Sequence, residues 1–352
     1  MPGLRLHKLD DLCPMSGIGA QWELLTRANP ASGFMQGLEW AAVKRKQGLE
    51  SIHLGVFDDD SLIGGAIFFT SVKRNGAGVI VAPEGPVLPW DNQSLSTEAL
   101  GLLIDAVGSL ARDLGVMTMR IEPRLTPPVM PALREFGRAP VDLVPRDTLY
   151  LDISQSEQAL LADMKHKARY NLKLAQRSGV EVVTSTSPDC VKRFYAVVAE
   201  ASIRDQFALE PIQFFEHLAD VMVPAGRAQF FFAVHDGDTL GTLLLVTYGN
   251  RATYLYGGIT NKKRNLMAGY ALQLAAMNAA REAGCTTYDF YGFDPFRSPE
   301  HCYARFSQFK SQFGGSVVRF IGAQDYFFLD NVADAFIKVV NQSEHEQMTP
   351  SL

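Results

Sequence analysis

The chain has 352 residues, 47% of them hydrophobic and 20% charged, and a net charge of -5. That length and apolar share can bury large cores, and at ~100 to 200 residues per domain they point to two of them. The acidic balance excludes a protein that coats nucleic acid non-specifically, because such binding comes from neutralisation of phosphates by Lys and Arg, so any anion must be met by a local patch.

The opening residues, MPGLRLHKLDDLCP, lack the basic start and apolar core of a signal peptide. No apolar run approaches the ~18 to 20 residues of a membrane span, so a cytoplasmic protein without an integral membrane segment is expected. Cys13, Cys190, Cys285 and Cys302 lie far apart with no C-x-x-C, and the seven His form no cluster with them. Neither a metal site, a disulfide nor a cofactor is expected.

Along the chain, two segments resemble each other. FDDDSLIGGAIFFTSVKRNGAGVIVAPEGPV (57–87) reads as strand, Asp-rich turn, strand, Gly turn, strand, followed by a helix through Ala111 and then GVMTMRIEP. VHDGDTLGTLLLVTYGNRATYLYGGIT (234–260) repeats that order, with a helix through Ala280 and then GCTTYDFYG. Ile63-Gly64 answers to Leu240-Gly241, and Ala111-Arg112 with Gly115 to Ala280-Arg281 with Gly284. Antiparallel strands, a helix and one more strand is the order of a GNAT-type acyltransferase domain. The fold class is therefore α/β (α+β), two GNAT-like domains, each a mixed, largely antiparallel sheet flanked by helices.

Between the halves, LTPPVMPALREFGRAPVDLVPRDTLYLDIS (125–154) holds five prolines, which puts the boundary near Val144. The first domain is expected to take 1–144 and 315–352, the second 145–314. The second opens with a helix from about Ser156, where Ser156 and the early Glu157 suit a helix start, and which runs on through MKHKARYNLKLAQRSG (164–179). Leu161, Met164, Ala168, Leu172 and Ala175 fall on one stripe, and Lys165, His166, Arg169, Lys173 and Arg177 on its neighbour. A charged stripe is commonly a solvated face; this one has no acidic i,i+4 partner inside it, which also suits an anion.

Further on, TYLYGGITNKKRNLMAGYALQLAAMNAA (253–280) joins an aromatic strand (Tyr254, Tyr256), a glycine pair (Gly257, Gly258), a basic loop (Lys262, Lys263, Arg264) and a helix from near Leu266. Loop amides before a helix suit an anion. CoA-using acetyltransferases have Arg/Gln-x-x-Gly-x-Gly/Ala here, and Met267 stands where the first glycine belongs. In YDFYGFDPFRSPEHCYARFSQFKSQFGG (288–315), Ser298-Pro299 reads as a helix start and Gly314-Gly315 as a stop. Lys310 lies among Phe306, Phe309 and Phe313. It reads as a snorkelling core-helix lysine or as a fixed charge beside a pocket.

These segments resemble the Fem family, the peptidoglycan bridge-forming aminoacyltransferases that use aminoacyl-tRNA. The likeness lies in FMQGLEWAAVK (34–44), APEGPVL (82–88), MKHKARYNLKLAQRSGVEV (164–182), IRDQF (203–207), YLYGGIT (254–260), YDFYGFDP (288–295) and FSQFKSQFGG (306–315). No heptad insert is present, so the chain resembles the short form without a coiled-coil arm. The resemblance implies that Lys44 and Arg204 hold the diphosphate of UDP-MurNAc-pentapeptide, and that Phe309 and Lys310 serve the transfer step. Tyr254, Tyr256 and Asp289 are pocket candidates by motif position, with Asp289 or the substrate itself as the proton acceptor. Lys165, Arg169, Lys173 and Arg177 would meet the tRNA acceptor stem. The expected activity is transfer of an amino acid from aminoacyl-tRNA to the side-chain amine of the stem peptide, on UDP-MurNAc-pentapeptide or lipid II, by a monomer. Aminolysis of an ester is downhill and needs no covalent nucleophile, only positioning and a stabilised oxyanion. A CoA-dependent N-acetyltransferase, a transferase acting on protein N-termini and a non-catalytic binding module are the alternatives.

Overall fold

The computed structural model describes residues 3–328 other than 11, 16, 73–77, 188, 297, 299, 300 and 302. The chain divides into two compact units, Met1–Arg146 with Phe320–Leu352, and Asp147–Arg319.

The first unit runs β1 (Arg5–Lys8), α1 (Gly17–Ala28), a 3-10 turn at Phe34–Gln36, α2 (Leu38–Lys46), β2 (Ser51–Asp58), β3 (Ser61–Val72), β4 (Gly78–Pro83), α3 (Gln93–Leu114), β5 (Thr118–Glu122) and β6 (Gly137–Arg138). The strand Gln324–Phe327 enters between β5 and β6, completing among the described residues a seven-stranded sheet that begins β1-β2-β3-β4-β5. Among the described strands only β4 and β5 pair parallel, Val79 opposite Thr118. Helix α3 starts where the Asn92 side chain accepts from Leu95 N and ends at the left-handed Gly115. Its Ala99, Leu100, Leu103, Val107 and Ala111 recur at helical spacing and are buried. By length and composition α3 passes as a membrane span, contrary to the reading that no run does so. Its buried stripe lies in the same apolar core as Ile80, Met119 and Ile121 of the sheet.

The second unit runs β7 (Asp147–Asp152), α4 (Glu157–Asp163), α5 (His166–Arg177), β8 (Glu181–Ser185), α6 (Cys190–Asp205), α7 (Ile212–Met222), β9 (Ala228–His235), β10 (Asp238–Tyr248), β11 (Arg251–Ile259), α8 (Ala268–Glu282), β12 (Thr287–Asp289), α9 (Ala304–Lys310) and β13 (Ser316–Arg319). The sheet order is β13-β7-β12-β11-β10-β9-β8, with β11 and β12 parallel.

The repeat seen in the sequence is one structural unit used twice: β2-β3-β4-α3-β5 and β9-β10-β11-α8-β12. Ile63 is the extra residue of a bulge between β2 and β3, and Leu240 holds the same place between β9 and β10. Gly115 and Gly284 end their helices with positive φ, and the next amide reaches back to Ala111 O and to Ala280 O.

Three boundaries depart from expectation. Strand β13 pairs with β7, Ser316 opposite Tyr150, so 316–319 lie in the second unit rather than the first. The helix expected from Ser156 to Gly179 is two helices. Ser156 caps α4, but Met164 and Lys165 take extended conformations (ψ 147 and 151) and α5 starts afresh at His166. Helix α9 begins at Ala304, not Ser298, while Gly314 and Gly315 close the segment with φ 84 and 85. Pro299 and Cys302 lie outside the described residues.

Candidate active site

The cleft of the second unit starts from an irregularity in β11. Tyr254 pairs with Leu245 and Tyr256 with Leu244, so Leu255 is an extra residue and the two tyrosines part company. Tyr254 turns toward Phe290, ring centroids 6.3 Å apart, whereas Tyr256 packs into Phe215 at 5.0 Å. Both phenols are pushed above the usual tyrosine range by burial and stay neutral. Next come the two glycines. A Cβ on Gly257 would stand 2.6 Å from the Tyr254 hydroxyl, and one on Gly258 2.7 Å from Ala201 Cβ of α6. Their bareness lets the phenol and α6 close on the strand, leaving a cleft of about 250 Å³. Tyr254, Gln273 and Phe309 line it, with Arg204, Arg264 and Arg305. No Ser, Cys or His is among its lining residues. Of the two tyrosines expected at a pocket, only Tyr254 is there.

Lys310 lies behind that wall and is 8% exposed. It does not snorkel outward. Its ammonium donates to Gly292 O at 2.6 Å and Tyr291 O at 3.4 Å, and sits 5.6 Å from the centroid of the Tyr254 ring. A buried ammonium needs such partners, and the carbonyls are aimed at it by a specific turn. Tyr291 is left-handed (φ 56), and its amide donates to Asp289 Oδ1 at 2.8 Å. Asp289 is fully buried and also accepts from Thr148 Oγ1 at 2.5 Å. Asp289 therefore fixes the turn that holds Lys310 and does not line the cleft, which corrects its reading as a proton acceptor. Phe309, one residue earlier, faces the cleft and rests on Tyr270 and Phe313 at 5.2 and 5.1 Å.

Arg204 is anchored rather than loose. Its guanidinium donates to both Asp205 oxygens, at 3.1 and 2.7 Å, and to Ile259 O at 2.6 Å. In the basic loop, Lys262 and Lys263 pair with Asp238 at 3.0 and 3.1 Å, which spends their charge on holding the β9–β10 turn. Arg264 and Arg305, both exposed, remain at the cleft; the sequence marked Arg264 as part of a basic loop suited to an anion and did not single out Arg305. Met267 takes the left-handed conformation (φ 57) that a glycine adopts freely, so the backbone turn ahead of α8 persists without its glycine.

Helix α5 buries Met164's neighbours Ala168, Leu172 and Ala175 and leaves Lys165, Lys167, Lys173 and Arg177 exposed. It packs against the 264–266 turn, so its charge approaches the cleft's Arg264. Arg169 differs: its guanidinium donates to Ala162 O at 3.0 Å and to Met164 O, closing the end of α4. That makes it a brace for the helix break.

In the first unit the motif residues serve the scaffold. Gln36 is fully buried, accepting from Ile67 N and donating to Pro83 O, both at 2.8 Å. Glu84 and Arg124 form a buried ion pair at 2.9 Å. Lys44, in the last turn of α2, carries its ammonium 4.9 Å from the Trp40 ring centroid. Lys44 belongs to this unit and the other candidates to the second. Among the described residues, no group of three or more His, Cys, Asp or Glu is placed to hold a metal.

Two sequence families meet this architecture: residues 162–302 match the Acetyltransferase (GNAT) domain and 21–127 the FemAB family. The crystal structure of FemX superposes with a TM-score of 0.81 at 20% identity, covering 92% of this chain and 98% of that one. A tandem GNAT protein from the clavulanic acid biosynthesis pathway does so at 0.57 and 16% identity, covering 93% and 99%. The class is therefore a transferase built of two GNAT-type domains. Among curated proteins, the chain is 23% identical to the lipid II:glycine glycyltransferase of Staphylococcus saprophyticus, over 86% of this chain and 90% of that one. The Staphylococcus aureus protein of that name is 22% identical over 86% and 90%. The chain thus carries a FemAB family match in its first unit and a GNAT match in its second, on a fold similar to that of FemX.

Proposed function

We propose that this protein transfers an amino acid from aminoacyl-tRNA to the side-chain amine of a peptidoglycan-precursor stem peptide, as a cytoplasmic monomer. The observation that carries the reading is the cleft itself, with donors along its wall, a buried ammonium behind Tyr254 and no Ser, Cys or His among its lining residues, while its Asp205 is held by Arg204 and its Thr242 hydroxyl by Phe231 O. Such a site suits a reaction whose acyl group arrives activated, where catalysis is positioning and charge stabilisation. Relatives named lipid II:glycine glycyltransferase support a peptidoglycan acceptor.

In this reading the acyl ester enters past Arg264 and Arg305, which take phosphates of the tRNA end, while α5 meets the acceptor stem by charge. The one unspent Nη2 hydrogen of Arg204 is offered to the precursor's phosphates. The acceptor amine loses its proton to the substrate, since Asp289 is out of reach. Lys310 contributes a fixed positive field at the reacting carbonyl.

The test is transfer of labelled amino acid from a mixed pool of charged tRNA to UDP-MurNAc-pentapeptide and, separately, to lipid II, with acetyl-CoA as a competing donor. Label should appear in one of the two precursors, and Lys310→Met should lower kcat by about 100-fold, the scale of losing one preorganised electrostatic contact. Acetyl transfer in place of aminoacyl transfer, or no transfer to either precursor, would overturn the reading.

A further inference from the structure

Gln273 of α8 is 2% exposed, an amide among the buried Ala, Leu, Met and Tyr270 of that helix. Its Oε1 accepts from the Tyr288 hydroxyl at 2.7 Å. Tyr288 lies on β12, has no exposed surface, and its hydroxyl makes no other hydrogen bond among the described residues. A buried phenol without an acceptor would cost its full desolvation, so Tyr288 fixes which way the amide faces: oxygen inward, nitrogen away. That nitrogen has no partner among the described residues, yet it is not among the fully enclosed atoms that lack one. It meets the open space of the cleft that Gln273 lines.

We infer that Gln273 Nε2 is a catalytic hydrogen-bond donor to the acyl carbonyl oxygen, with Tyr288 as its positioning residue. The inference rests on the function proposed above. An amide N–H₂ can only donate, and the Arg204, Arg264 and Arg305 side chains at the same cleft are donors too, while the Asp205 carboxylate there already accepts from Arg204 through both oxygens, so the group seated there presents oxygen. As the acceptor amine attacks the carbonyl carbon, the C=O electron pair moves to the oxygen and the donor meets a forming oxyanion. The pair then returns, the bond to the ribose oxygen breaks with its electrons, and that oxygen takes the proton given up by the amine. One amide forms, one ester is lost, and nothing is oxidised or reduced. A neutral donor held by a buried phenol gives this help without the desolvation of a second charge and at any pH where the phenol is protonated.

Three variants of the full-length protein test it in the transfer assay: Gln273→Met, Tyr288→Phe, and the two combined. Gln273→Met removes the donor at nearly constant volume but strands the buried phenol, so it should lower both kcat and Tm. The double variant removes both partners, which restores stability. Its kcat should stay about 100-fold down, the cost of losing one oxyanion donor, with KM for charged tRNA within about twofold of wild type, as expected of a contact made in the transition state. Tyr288→Phe alone should fold and lose a smaller part of kcat, because the amide is then free to turn. A double variant that regains wild-type kcat along with its Tm would show that the pair is only structural and overturn the inference while leaving the function standing. A wild-type protein inactive on both precursors would overturn the two together.

Discussion

A methyl group at Gly257 would compete with the Tyr254 hydroxyl for the same space. The added Cβ would lie 2.6 Å from that oxygen and 2.8 Å from Thr242 O, and the second of these is backbone that cannot turn aside. Gly257→Ala should therefore cost about 1 to 3 kcal/mol as an overpacking change and displace the phenol from the cleft wall. Thermal unfolding and the transfer assay check it, and wild-type kcat with an unchanged Tm would contradict the close approach. At this scale the sequence was informative where a residue was odd for its surroundings. Tyr254 and the Gly257-Gly258 pair line the cleft, and Lys310, singled out among phenylalanines, lies behind its wall. Tyr256 did not, because the bulge at Leu255 reverses its face and no residue in the stretch announces it. Gln273 was passed over for the opposite reason: within an apolar helix an amide reads as a tolerated core residue until its inward and outward atoms are told apart.

Elements were legible as far as their local periodicity carried them. The bulge pair Ile63 and Leu240 and the stops Gly115 and Gly284 were visible as a repeat, since each is imposed by a few adjacent residues. The break at Met164-Lys165 was not, because polar and apolar positions keep helical spacing across it and only the Arg169 brace marks it. Strand β13 was assigned to the wrong unit for a related reason: its partner β7 is some 170 residues earlier in the chain, the span of the Arg319–Asp147 ion pair. The first unit's strands also carry two opposed titrations. Burial pushes the Glu122 carboxyl on β5 up to about 7, although Leu143 and Val144 amides donate to it. The folded chain then keeps a proton that the unfolded chain sheds from about 4.5 upward, which favours folding at low pH and is lost as pH rises through 7. Burial holds the His53 imidazole of β2 down to about 4, so its contribution is complete above 6.5 and is lost as pH falls through 4. Between pH 4.5 and 6.5 the two slopes oppose each other. Glu122→Gln removes one of them, and its stability relative to wild type should climb by about 3 kcal/mol from pH 4.5 to 7, at ~1.4 kcal/mol per pH unit. Denaturant melts at a series of pH values measure that difference, and a flat one would place the Glu122 pKa near its ordinary value.

For the whole molecule, a chain of net charge -5 is repelled by a polyanion except where its own field is reversed. Lys165, Lys167 and Lys173 provide that reversal: they are exposed on or beside α5 and their side chains have no partner among the described residues. Replacing all three by Glu breaks no contact, so Tm should hold, unlike a change at Arg169, which would unbrace the α4–α5 junction. The overall charge would fall by six, and the loss should appear in the donor's KM and in its salt dependence rather than in kcat. Each phosphate contact contributes a slope of roughly 0.9 in log K against log salt on a duplex. The triple variant should therefore flatten the dependence of charged-tRNA binding on salt by about two to three, and bind at low salt as weakly as wild type does at high salt. Titrating uncharged tRNA across a salt series isolates this term from the chemistry. An unchanged slope would move the tRNA to another face of the protein and leave α5 with the solvated role that most charged helices have.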